Sequence, residues 1–456
     1  MSIMRNLNPN RMTSLAPRHA RGAVQAGLCA LLALLPVATR AADEPALSIS
    51  GAGWFQFGRV EGSTNYQENN NNDYRKNWMQ TSGAQVGTVL KIDENWEGGL
   101  ALGMVQVHLI RGTRSNGNWY PFTVPYVGEA RVTYTTPLFS GDDKLQVTVG
   151  NFGYGYNPDV HNLGQYLMRG YVYPGALVSG FGNVQGALAR YERGGFRNDL
   201  ILKSEVEDKP QYDFSVADVV NYRVVPGLEV GAGINLYRVI AQNPSLTSPG
   251  KNCEQQLGPY AGSPTADRHP CYTIDSSGAT PDTVTGSLAG TKVMARFSLD
   301  PKVLWGMTGV GARAWGKRDW VVYGEAALLG LKDYPNYYDD KLRRMPVMLG
   351  FNIPTLGFLD DFSVEAEYYA SKNSSDNLAA QNGSWVPVIN PAVNNGRDDW
   401  KWSLQAGKVL WGNLKLSGQV ANDHSRLGGS HDVATGVEAY TTPEDWYWTC
   451  KLAYFF

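Results

Sequence analysis

Apolar and polar residues alternate with period two along most of this chain. In Asn413–Asn422, NLKLSGQVAN, Leu414, Leu416, Gly418 and Val420 fall on one face, with Lys415, Ser417 and Gln419 on the other. Phe362–Tyr369 sets Phe362, Val364, Ala366 and Tyr368 against Ser363, Glu365, Glu367 and Tyr369. Lys292–Ser298, Tyr126–Tyr134 and Trp400–Ala406 read the same way. The final segment Asp445–Phe456, DWYWTCKLAYFF, puts Trp446, Trp448, Cys450, Leu452, Tyr454 and Phe456 in one alternate set. Period two is the signature of a β-strand with unlike faces. Runs of roughly ten residues match the length of a tilted strand that crosses a bilayer. About sixteen such segments are found, an even number as in single-chain bacterial barrels. They begin near Leu47, Met79, Trp96, Tyr126, Leu145, Val184, Leu200, Tyr212, Leu228, Thr291, Asp319, Leu342, Asp361, Trp400, Leu414 and Trp446. Pro301–Arg318 is too long for the short turn due there, and a hidden strand pair within it gives eighteen as the alternative.

Period two also suits a soluble sandwich, and the connections decide against one. Short turns at Asp93–Asn95, Ser140–Asp143, Gly194–Asn198, Pro226-Gly227 and Trp411–Asn413 alternate with long polar loops. The long loops are Gly62–Trp78, Arg111–Pro125, Phe152–Gly182, Gln242–Gly290, Asn373–Asp398 and Ser425–Glu444. One tight end and one long end is the outer-membrane pattern. Aromatics gather near strand ends, with Trp54, Phe55, Trp78, Trp96, Trp320, Trp400 and Trp448 among them, as interfacial belts do.

Composition adds to this picture. Glycine is high at 51 residues, and charged residues make up only 18%, a low fraction for a water-facing surface. Residues 1–41 form a leader: Arg5, Arg11, Arg18 and Arg21, then the apolar run Gly22–Val37, then mostly small residues to Ala42. Basic, apolar, small is the order of a cleaved secretory signal, and the apolar run falls short of the ~20 residues of a spanning helix. Cleavage near Ala41 leaves 35 of the 40 basic residues against 42 acidic ones. That balance, about −7, argues against nucleic acid as a partner. Residues 42–456 are then expected to be a single all-β unit, an antiparallel up-and-down transmembrane barrel.

The chain beyond the leader resembles a Gram-negative outer-membrane β-barrel of the porin type. The leader, the alternating segments and the terminal Phe456 carry the resemblance. It implies several things. Phe456 serves as a signal to the barrel-assembly machinery. Outer-membrane lipid and lipopolysaccharide surround the barrel, and a homotrimer is one arrangement of such chains. Residues 152–182, at the place of the third external loop, fold inward to constrict the lumen. Pro158-Asp159 opens a turn of helix there, with Leu163, Tyr166 and Leu167 on one side, and Asp159, His161, Gln165 and Arg169 near the eyelet. The alternative is a folded surface cap or subunit contact.

Parity places Arg131, Arg190, Arg296, Arg344, Lys91, Lys401 and Lys415 inward, with Glu129, Glu192, Glu325, Glu365 and Glu367. Facing charges of opposite sign filter solutes by charge and size; the alternative is that they form wall-stiffening ion pairs. Cys253 and Cys271 lie in the longest loop, 242–290, and passage through an oxidising periplasm favours a disulfide between them over two free thiols. Cys450 falls outward and unpaired.

No enzyme signature is found. The histidines are scattered, and HExxH, GxSxG, phosphate-loop and CxxC motifs are absent. His108 is read onto the inward set, without a serine paired to it. No cofactor or metal is expected. The sequence points to a channel for passive diffusion of small hydrophilic solutes or ions. The alternative, from another class, is a plugged barrel presenting its loops to a surface or partner.

Overall fold

The computed structural model describes residues 46–63, 76, 78–109, 122–139, 142–172, 176–177, 182–206, 212–242, 272–275, 282–285, 289–306, 316, 318–331, 341–370, 399–427, 437–438, 440 and 442–456. The expected leader and Cys253 and Cys271 lie outside the described residues.

Sixteen antiparallel strands close into one barrel. They are β1 (Ala46–Gly62), β2 (Trp78–Lys91), β3 (Trp96–Leu109), β4 (Phe122–Thr136), β5 (Asp143–Gly153), β6 (Asn183–Arg193), β7 (Phe196–Glu205), β8 (Asp213–Val225), β9 (Leu228–Ile240), β10 (Gly290–Leu299), β11 (Val322–Leu328), β12 (Val347–Asn352), β13 (Asp361–Tyr368), β14 (Trp400–Leu410), β15 (Leu414–Asn422) and β16 (Trp446–Phe455). Each pairs with its neighbours in sequence, and β1 closes on β16 from Ala52↔Phe455 to Gly62↔Trp446. Closure removes the open edges that strands otherwise leave, the condition for β structure in lipid.

Eighteen strands are excluded by the register. β10 pairs directly with β11, Leu299 opposite Val322, so the intervening residues insert no barrel strand. Their first part is a single helical turn, Pro301–Leu304, which Asp300 caps by accepting from the Lys302 and Val303 amides. The twelfth strand begins at Val347 rather than Leu342, because Lys341–Arg344 is a 3-10 turn. Arg344 therefore sits at the wall's rim and not on a strand; it is buried, and its guanidinium donates to the Gly330 carbonyl at 2.9 Å.

The register fixes the two faces. Leu47, Ile49, Phe55, Phe57, Val86, Leu90, Leu100, Leu102, Met104, Val230 and Leu349 are exposed on the outside of the wall. Lys203, Asp199, Asn221, Lys292, Arg296, Glu325, Glu365 and Lys401 fall in the opposite set and are buried inside. Apolar outside and polar inside is the inverse of a soluble barrel, and it suits hydrocarbon.

Two sequence placements change. His108 is registered opposite Gln80, in the outward set of Leu102 and Met104. Trp54 lies mid-strand, in the inward set with Gln56, and the Lys451 ammonium stands over its ring. Trp54 is thus no belt residue, whereas Trp78 and Trp448, packed edge to face, lie on the outside.

The end of the chain completes the seam. Phe456 and Gly51 exchange both backbone hydrogen bonds, at 2.8 and 3.0 Å, and the Phe456 ring covers the hydrogen that is the whole Gly51 side chain. Gly186 permits an equally close approach, since a Cβ there would overlap the Leu202 carbonyl oxygen between β6 and β7.

Candidate functional site: the lumen and its inserted loop

β5 ends at Gly153, opposite Asn183 on β6, well below the top of β4, and the chain turns inward there. Residues 154–169 pack on the inner wall. Tyr154, Tyr156, Val160, Leu163, Tyr166 and Leu167 are buried in one cluster with wall residues Leu188, Ile201, Val219, Met294, Tyr323 and Met348. This stretch is a series of turns and holds no helix. Gly164 and Gln165 take positive φ angles of 91° and 60°, which break any right-handed helix. Gln165 holds its strained backbone with its own side chain, accepting from the Tyr156 amide at 3.1 Å and donating to the Asn157 carbonyl at 2.7 Å. Leu163, Tyr166 and Leu167 are all buried, as their sequence pattern suggests, but on successive turns.

Wall carboxylates hold the loop. Glu365 accepts from three consecutive amides, His161 at 2.6 Å, Asn162 at 2.8 Å and Leu163 at 2.8 Å, and from the Tyr323 hydroxyl at 2.9 Å. Glu325 accepts from the Gln165 and Tyr166 amides at 3.1 and 2.8 Å and from the Tyr156 hydroxyl at 2.5 Å. Glu367 takes the Tyr166 hydroxyl at 2.8 Å and contacts the His424 imidazole at 2.6 Å. Asn162 donates to Asp423 at 2.6 Å. Loop amides that would otherwise be orphaned in a packed interior are thereby satisfied by charge-assisted bonds.

Glu325, Glu365 and Glu367 are only 3%, 1% and 1% exposed. They do not line an open eyelet, because the loop covers them. Arg169 is buried inside the loop and donates to the Asn162 carbonyl. Burial also lowers the His161 pKa below its ordinary value, assisted by the Arg318 charge and opposed by Glu365 and Asp361. His161 is therefore neutral at pH 7. Asp159, at the far end of the loop, bonds the Ser298 hydroxyl at 2.5 Å, and Arg318 donates to the Pro158 and Asp159 carbonyls at 3.1 and 3.3 Å. Ser298 and Arg318 belong to the two ends of the connection after β10, which lies on the short-turn side, so the loop crosses from the long-loop side toward that side.

The remaining candidates lie in local ion pairs or on the rim. Arg131 bonds Glu129, Glu97 at 2.7 Å and Thr133 at 2.8 Å. Arg190 grips Asp199 through two nitrogens at 2.6 and 3.0 Å, and Tyr154 donates to the same carboxylate at 3.0 Å. Arg296 pairs with Glu229 and donates to Asn221 at 2.7 Å. Lys401 donates to the Tyr440 carbonyl, and Lys415 pairs with Asp361 at 3.5 Å. Lys91 and Glu192 occupy inward positions near the short-turn end, opposite Glu97 and Lys144. Asp199 was missed by the sequence reading, although its parity with Ile201 and Lys203 made it available.

Among the described residues the loop leans on β6–β13 and not on the wall of β1–β4. On that wall Ser50 is exposed, and Ala52, Trp54, Gln56, Gln85, Tyr126 and Arg131 are half-buried. Near the short-turn mouth a cavity of about 530 Å³ opens beside the loop tip, lined by Asp159, Arg223, Glu229, Ser298, Asp300 and Arg318. Among the described residues no group of three or more His, Cys, Asp or Glu side chains is placed to hold a metal ion.

No family model matches the chain, and no curated protein does. Among solved structures, a mutant of the Rhodopseudomonas blastica porin is similar at 10% identity, with 90% of this chain and 100% of that chain covered and a TM-score of 0.41. A triple mutant of the same porin is similar at 11% identity, the same coverage and a TM-score of 0.41. A structure described as "Asymmetric conductivity of engineered proteins" is similar at 10% identity, the same coverage and a TM-score of 0.40. Function is therefore read from the barrel's own wall and lumen.

Proposed function

We propose that this chain is a passive diffusion channel of a Gram-negative outer membrane, admitting small hydrophilic solutes or ions. The observation that carries the reading is the asymmetric lumen. A loop is fixed along β6–β13, and a polar wall on β1–β4 stays open to solvent beside it. Filtering is then by the width of that gap and by the half-exposed charges around it, Arg131, Glu129, Arg190 and Arg318, with no chemical step. Glu325, Glu365, Glu367 and Arg169 act one step removed, by holding the loop in place. Arg296 and Lys401 hold the wall.

The same reading makes residues 1–41 an export signal and Phe456 the residue offered to the assembly machinery. Lipid and lipopolysaccharide meet the apolar outer face, and a homotrimer would cover part of it. Cys253 and Cys271 would be joined outside the cell.

The test is single-channel conductance of the purified protein in planar bilayers. Steady current steps that shrink with non-electrolytes small enough to enter support a channel. Silence from correctly folded protein refutes it and favours the plugged barrel, a reading to which the nearly complete burial of residues 160–169 also lends weight.

A further inference from the structure

The open wall is built in an unusual way. Trp54 on β1 lies toward Gly83 on β2, where a Cβ would strike the indole ring. Tyr126 on β4 lies over Gly103 on β3, where a Cβ would strike the phenol ring at 2.5 Å. Glycine lets each ring lie down against the wall and turn its other face to the lumen. Gly83 and Gly103 lie on neighbouring strands, two residues apart in height, which separates the rings by roughly 8 Å.

The polar groups around these rings are donors. Gln85 lies between them and accepts from the Tyr126 hydroxyl at 3.0 Å, leaving its amide N–H₂ uncommitted among the described residues. The Trp54 indole N–H has no protein acceptor there either. The Lys451 ammonium stands 5.5 Å from the centre of the Trp54 ring, and no described carboxylate is within ion-pair reach of it. Flat apolar ring faces with an ammonium standing above one of them, and an indole N–H and an amide at their margins, fit a ligand that is planar, apolar on its face and anionic at its edge.

We propose that Trp54, Tyr126, Gln85 and Lys451 form a stacking subsite for small aromatic or heteroaromatic carboxylates passing through the lumen. The ring lies on Trp54 or Tyr126, and the carboxylate replaces water on the Lys451 ammonium. The inference rests on the channel reading for the ligand's access, but not for its binding chemistry.

The test uses the full folded protein with benzoate as probe, acetate as the charge-only control, benzyl alcohol as the ring-only control and glucose as the neutral sugar. Titration calorimetry should show benzoate binding about tenfold or more tighter than either control, and benzoate should interrupt the single-channel current. Trp54→Ala should weaken benzoate roughly tenfold, the scale of one lost stacking partner, while Trp54→Phe keeps most of the affinity. Lys451→Met should bring benzoate down to the level of benzyl alcohol. Equal binding of acetate and benzoate overturns the proposal. So does glucose binding as well as benzoate, or a folded Trp54→Ala protein that binds benzoate like the parent. A barrel that binds benzoate but never conducts upholds the subsite and defeats the channel reading. A conducting barrel indifferent to benzoate does the reverse.

Discussion

Glu365→Gln should free the lumen loop while leaving the barrel standing. The native carboxylate has two oxygens and serves four donors: the His161, Asn162 and Leu163 amides and the Tyr323 hydroxyl. Glutamine fills the same volume with one acceptor oxygen and one N–H₂. Two donors keep an acceptor, and the other two meet a donor. Each buried donor left without a partner costs about 1–3 kcal/mol, so two cost about 4 kcal/mol. This falls on the loop, because the β13 ladder is made by backbone groups that the substitution does not touch. Amide hydrogen exchange across residues 157–168 reads the effect directly, and about 4 kcal/mol corresponds to roughly a thousandfold loss of protection. Strand segments such as 361–368 should keep theirs. Current steps, where the channel conducts, should become noisier as the loop samples the gap. Less than a tenfold change in exchange at 157–168, in folded protein, would refute the view that this carboxylate is the anchor.

Asp199→Asn leaves the Arg190 guanidinium beside a neutral amide and weakens the Tyr154 contact, so it should cost about 3 kcal/mol, read as a lower urea midpoint for unfolding from detergent or lipid. Gly186→Ala drives a methyl group into the Leu202 carbonyl across two strands that cannot part without breaking the ladder, so the yield of heat-modifiable, folded barrel should fall sharply. His161 has its pKa lowered in the folded loop, mainly by burial. Its contribution to loop stability is therefore fully present above the unfolded value of about 6.5 and is lost as pH falls through the lower folded value. Protection factors at 157–168, taken against the intrinsic exchange rate at each pH, should fall as the pH drops below about 6.5, and His161→Gln should flatten that part of the profile.

Much of the wall was legible because its physics is local. A strand with lipid on one side and water on the other must alternate, and the alternation survives in the residues whether or not the partner strand is known. That suffices to place Lys415, Glu325 and Arg296 inward and Leu416 and Phe297 outward. It fails at boundaries where local geometry competes. Lys341–Arg344 reads as the opening of a strand, yet its backbone closes a 3-10 turn, and Arg344 leaves the wall with it. Trp54 departs from expectation for another reason: its residue type suggests an interfacial belt, while its parity with Gln56 puts it indoors.

The lumen was less legible because parity tells which way a side chain points and not what it meets. Arg131 and Glu365 are both inward charges, and nothing in their own segments separates them. One stays half-open beside Glu97 and Glu129; the other is sealed by three amides contributed from about two hundred positions upstream. The deciding information lay in the loop, in residues with no charge of their own. Tyr154, Tyr156, Leu163, Tyr166 and Leu167 are too apolar for a solvated loop, so they need a wall to cover. Once they are buried there, the backbone amides between them need acceptors, and the buried wall carboxylates of Glu325 and Glu365 supply them. An apolar, aromatic loop opposite a run of inward carboxylates is therefore a signal for anchoring rather than filtration. Glu365 and Glu367 stand one alternation apart on β13, and Glu325 stands level with Glu367 two strands away, across Met348 of β12, so that the three receive successive turns of one inserted segment.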